Sequence, residues 1–63
     1  MWTVIYMTQT KAAALRAQDA LEQTDIAVRV RPAGHGGDDG FFELLVPETE
    51  AQQAHAVLIK NGY

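Results

Sequence analysis

Apolar residues recur along this chain with two different periods, and the switches between them mark its elements. Trp2 to Met7 is rich in aromatic and β-branched residues and reads as a strand. Thr8 and Thr10 then offer two N-cap candidates. Lys11 to Gln23 consists almost wholly of good helix formers. On a helical wheel Ala13, Ala14, Ala17, Ala20 and Leu21 fall within a stripe of about 120°. Small side chains dominate that stripe, so the helix should lie close to a sheet. Leu15 projects from the opposite side, among Lys11, Gln18, Asp19 and Glu22. It reads either as a lone exposed leucine or as part of a contact surface.

Thr24-Asp25 ends the helix, because Asp can adopt the left-handed conformation that terminates helices, although less readily than Gly. Ile26 to Arg31 alternates, with Ile26, Val28 and Val30 on one face and Ala27, Arg29 and Arg31 on the other. Pro32 stops this strand. Pro32 to Gly40 is irregular and holds four of the five glycines, too long for a tight hairpin turn. Phe41 to Val46 is a third strand, with Phe42, Leu44 and Val46 directed to the core and Phe41 and Leu45 flanking Glu43 on the other side. After Pro47, Thr49 and Gln52 have the spacing of a capping box, and Glu48 and Glu50 suit a first helical turn. Ala51, Ala54, Val57, Leu58 and Ile59 form the apolar arc of a last helix, with His55 inside that arc and packed against the sheet. Gly62 is a natural C-terminal stop.

The order strand, helix, strand, strand, helix predicts one α+β domain over residues 1–63. Its expected architecture is a β-α-β-β-α ferredoxin-like (split β-α-β) unit. That unit has a three-stranded mixed sheet, with the first two strands parallel and two helices on one face. The other face is then open. It should carry Phe41 and Leu45 with either Trp2, Val4 and Tyr6 or Thr3, Ile5 and Met7. Either set creates an apolar patch of the kind that signals association, so a homodimer is expected, with Phe41 and Leu45 at the interface.

Size makes the same point. A 63-residue domain buries only about 60% of the surface its unfolded chain exposes, and small domains usually add a staple. With no cysteine there is neither disulfide nor thiolate metal site, and the composition fits a cytoplasmic location. The first residues lack the basic region of a signal peptide, and no apolar run approaches the roughly 18 residues of a membrane span. Five basic residues against eight acidic give a net charge of −3, which argues against nucleic acid or an anionic membrane as partner.

Candidate chemistry is sparse. His35, Asp38 and Asp39 with His55 lack any diagnostic metal-ligand spacing, so no metal is expected. Gly34-His35-Gly36-Gly37 lacks the Lys-Ser/Thr of a P-loop and does not lead into a helix. The stretch Gly34, His35, Gly36, Gly37, Asp38, Asp39 reads instead as a recognition loop or a plain connector. Thr8, Thr10 and Lys11 sit where a strand feeds a helix N-terminus, a place that suits an anion, with Arg29 or Arg31 nearby. Helix capping explains the threonines equally well. Arg29 and Arg31 could also pair with Glu43 across strands. No serine or cysteine is present as a nucleophile, and no catalytic residues or cofactor are expected.

Three segments carry a resemblance: Met1-Trp2-Thr3-Val4-Ile5-Tyr6, Val28-Arg29-Val30-Arg31-Pro32, and Leu44 through His55 with its V-P-E-x-x-A-x-x-A pattern. They resemble a family of very small uncharacterised proteins of Firmicutes-type bacteria, itself similar to the prokaryotic signal-transducing protein family. The resemblance implies a ferredoxin-like or PII-like fold and a sensory or regulatory role, and it carries no catalytic residues. Relatives often have Gly where this chain has Asp25. Some carry enzyme names such as glutamate decarboxylase, but Lys11 and Lys60 fall on helix surfaces, without the context of a cofactor lysine. The expectation is a non-enzymatic regulatory or protein-interaction module. The alternative is a small-molecule or anion sensor at the first strand–helix junction.

Overall fold

The computed structural model describes residues 1–33 and 41–63. In chain order it has β1 (Trp2–Thr8), α1 (Lys11–Glu22), β2 (Arg29–Pro32), β3 (Phe42–Pro47), a short 3₁₀ turn (Glu48–Glu50) and α2 (Ala51–Lys60). The class is α+β, as the alternating periods predict.

The sheet order is β1-β3-β2, and both pairings are antiparallel. The crossover through α1 leaves β1 and β2 running the same way, but β3 inserts between them. No parallel ladder therefore forms, and the expectation of a mixed sheet is corrected to an antiparallel one.

Both helices lie on the face bearing Leu44 and Val46. The core there joins Ala14, Ala17 and Leu21 of α1 with Ala54 and Leu58 of α2, and with Ile26. Ala14, Ala17 and Ala54 are fully buried, so each helix approaches the sheet on a methyl group. Phe42, Val28, Val30, Ile5 and Tyr6 pack around the margin.

Thr10 caps α1, its hydroxyl accepting from Ala13 N–H at 3.1 Å. The buried Thr8 hydroxyl donates to Thr10 C=O at 2.8 Å, so its burial leaves no polar atom unpaired. Two helix ends share one geometry. After α1, Ile26 N–H bonds back to Leu21 C=O and Asp25 N–H to Glu22 C=O, with Asp25 at φ 63°. After α2, Tyr63 N–H bonds to Leu58 C=O and Gly62 N–H to Ile59 C=O, with Gly62 at φ 87°. Both are Schellman motifs, whose turn demands the left-handed conformation.

Three local expectations are corrected. The Thr49–Gln52 capping box does not form: Glu48–Glu50 is a 3₁₀ turn, and α2 starts at Ala51 without a side-chain cap. Pro47 at φ −57° already sets the chain into that turn. Ile59 and His55 are exposed, not packed. With Ala54 at the centre of the buried arc, Ile59 lies about 140° round the helix and His55 about 100°. β2 runs Arg29–Pro32 and not from Ile26, and Pro32 closes it from inside the strand, paired with Phe42.

Candidate functional site

A β-bulge sorts the residues of β1 between the two faces of the sheet. Trp2, Thr3 and Val4 pair with Pro47, Val46 and Leu45, but Leu44 pairs with Tyr6, so Ile5 is the extra residue. Opposed residues share a face. Thr3, Tyr6 and Thr8 therefore join Ile5 on the helix side, while Trp2, Val4 and Met7 point to the open side. Neither unbroken alternation anticipated from the sequence occurs. The bulge takes Trp2 and Val4 from one set and Met7 from the other.

The open face falls into two halves. Along β1, Trp2, Val4 and Met7 are all more than a third exposed. Along β2 stand Arg29 and Arg31. On β3 between them, Leu45 lies in register with Val4 and Arg29, and Glu43 with Met7 and Arg31. Leu45 is only 8% exposed, so it is a floor to this face and not the exposed interface residue expected. Phe41, just before β3, is exposed as anticipated.

Two contacts cross the face. The Arg31 guanidinium donates through Nε to Glu43 Oε1 at 2.7 Å, the cross-strand pair anticipated for these residues. The Arg29 guanidinium carbon sits 4.6 Å from the Trp2 ring centroid. That cation–π contact spans the full width of the sheet, from β2 across β3 to β1. Its signal in the sequence was faint, because nothing local links residues 27 positions apart.

Two adjoining clefts follow the outer side of β2, which has no strand beyond it among the described residues. One, of about 490 Å³, is lined by Trp2, Gln18, Val28, Arg29, Val30, Arg31 and Leu45. The other, of about 370 Å³, is lined by Lys11, Leu15, Gln18, Val30, Arg31, Pro32 and Phe42. A further cleft of about 490 Å³ lies between α1 and the residues after α2, lined by Leu15, Arg16, Asp19, Gln23, Asn61 and Tyr63.

Of the residues anticipated as a ligand site, Lys11 and Arg31 come together in the smaller cleft, and Arg29 lines the larger. The Thr8 and Thr10 hydroxyls are engaged in the turn and cap described above. The recognition-loop residues Gly34, His35, Gly36, Gly37, Asp38 and Asp39 lie outside the described residues. Among the described residues, no group of three or more His, Cys, Asp or Glu could hold a metal ion. No described helix is long and apolar enough to cross a membrane.

Comparison with family profiles, with curated proteins and with solved structures gives no match.

Proposed function

We propose that this chain is a non-enzymatic regulatory or protein-interaction module that associates through the apolar half of its open sheet face, first with a second copy of itself. The observation that carries this reading is the row of Trp2, Val4 and Met7, exposed side by side on a face that neither helix covers. A two-fold pairing would lay Trp2, Val4 and Met7 of one copy against the same residues of the other.

A ferredoxin-like split β-α-β unit without its fourth strand is supported by β1 and β2 running alike on either side of β3. The regulatory, signal-transducing role in a bacterium rests on the family resemblance, and the cytoplasmic location on the absence of cysteine.

Light scattering over a wide concentration range tests association, with Met7→Lys alongside. A lysine there stands opposite Glu43 across the strands, so it adds charge to the row without opposing the fold. The expected result is a dimer mass that falls to the monomer in Met7→Lys. A monomer at every concentration, or an unchanged dimer in the variant, overturns the reading.

A second reading, a small-molecule or anion sensor, draws on Lys11 and Arg31 sharing one cleft. Saturable amide shifts at Lys11 and Arg31 on adding inorganic phosphate or an amino acid would support it, and their absence would remove it.

A further inference from the structure

We infer that the outer edge of β2 is a docking groove for an extended acidic peptide, which adds to the sheet as a fourth strand. This goes beyond the open-face association: the groove follows the β2 edge and meets the open-face row only at Trp2.

The edge itself supplies the first part of the argument. Ala33 N–H bonds to Phe41 C=O at 3.0 Å. In an antiparallel ladder, hydrogen-bonded and non-bonded pairs alternate. Counting back from Ala33–Phe41, the bonded pairs are Arg31–Glu43 and Arg29–Leu45. Val30 and Pro32 therefore turn their main-chain groups outward, away from β3. Pro32 is tolerated in this strand because the N–H it lacks would have faced the free edge. Val30 N–H and C=O and Pro32 C=O remain as a template for another strand. They have no backbone partner among the described residues.

The walls supply the second part. The two clefts share Gln18, Val30 and Arg31, so they form one groove along β2, walled on one side by α1. Lys11, Leu15 and Gln18 are three or four residues apart and present one ridge of that helix to it. Leu15, 47% exposed, has no place in the core; beside Val30 and Phe42 it makes an apolar floor in the groove.

Charge complementarity identifies the occupant. Three of the chain's five basic residues, Lys11, Arg29 and Arg31, line the groove, although the chain as a whole carries a net charge of −3. No acidic residue lines either cleft among the described residues. Glu43 engages only Nε of Arg31, leaving the terminal nitrogens to other acceptors. A strand laid on β2 alternates its side chains between the two sheet faces. One set would meet Leu15 and Val30, and the other Arg29 and Arg31. The fitting peptide alternates apolar and acidic residues.

The test uses an end-blocked peptide of four Glu-Val repeats, followed by amide shifts of the labelled protein. Saturable shifts are expected at Val28–Pro32 and along Lys11–Gln18. Lys11→Glu and Leu15→Ala, both at exposed positions suited to helix, should each weaken binding about fivefold or more without unfolding the chain. Two further peptides, N-methylated at the valines or at the glutamates, address the main chain. Successive amides of a strand point to opposite sides, so one of the two should lose binding and the other keep it. Retention by both overturns strand addition. Equal binding of a block peptide, four Glu then four Val, reduces the groove to an anion site and overturns the proposal. So do shifts confined to β1, or none at all. Met7→Lys should leave peptide binding intact, so failure of the open-face association and failure here are separate outcomes.

Discussion

Asp25 gives the sharpest test of how this chain ends its first helix. It sits at φ 63° in the same Schellman turn that Gly62 occupies at φ 87°. An ordinary side chain in the left-handed region costs about 1–2 kcal/mol, and Asp less, because its short polar side chain bonds locally. Asp25 carries a second cost. It follows a helix whose last turn contains no basic residue, so its charge faces the negative end of the dipole. That interaction is worth about 0.3–1 kcal/mol at low ionic strength. Glycine removes strain and charge together, at an entropic cost of about 0.5–1 kcal/mol. The balance puts Asp25→Gly at roughly 0.5–1 kcal/mol more stable than the parent. In a domain of this size that raises Tm by about 2–8 °C. Asp25→Asn removes only the charge and should gain about 0.3–0.5 kcal/mol, shrinking in high salt. Asp25→Ala gives up the easier left-handed conformation of Asp, a loss of about 0.5–1 kcal/mol, but also removes the charge, so it should fall within about 0.5 kcal/mol of the parent. At the other helix end a Cβ on Gly62 would meet nothing within 4 Å. Gly62→Ala therefore reports backbone conformation alone and should lose about 0.5–1 kcal/mol. Urea denaturation followed by circular dichroism gives all four differences. Asp25→Gly below the parent in stability, or Asp25→Ala above Asp25→Gly, would refute this ordering.

Other outcomes follow from packing and pairing. Leu58→Ala, at a side chain only 2% exposed, should cost about 2–5 kcal/mol and leave a domain this small largely unfolded. Ile59→Ala next to it should cost under about 0.5 kcal/mol by the same denaturation curves. Thr10→Ala removes the bond to Ala13 N–H and should cost about 0.5–2 kcal/mol, read as earlier thermal melting. A double-mutant cycle on Arg31 and Glu43 should return about 0.2–1 kcal/mol, falling in high salt, because the Arg31 side chain is 61% exposed.

Much of the fold was legible in the sequence. The small-sided stripe of Ala14, Ala17 and Leu21 buries as its spacing predicts, and Leu44 and Val46 face the helices. Asp25 takes the left-handed conformation that its place after the helix suggested. Hidden from any periodicity count was the bulge at Ile5, because an extra residue leaves the composition of a strand unchanged while reversing its phase. The insertion of β3 between β1 and β2 was hidden for another reason. Element order limits topology but does not say which strands become neighbours. At the candidate sites, Glu43 could be matched with Arg29 or Arg31 because they flank one connection. Trp2 with Arg29, and the groove joining Leu15 to Val30, depend on β1, α1 and β2 arriving in place from distant parts of the chain. Leu15 stood out only as a leucine on the wrong side of its helix.

The open face is the centre of this account, and amide chemical shifts recorded from dilute to concentrated protein test it most directly. Association through the apolar half predicts concentration-dependent shifts at Trp2, Val4, Met7 and Phe41, with the β2 edge at Val30 unchanged. Shifts centred on Val30 and Arg31, or a spectrum that stays constant over the whole range, would contradict it.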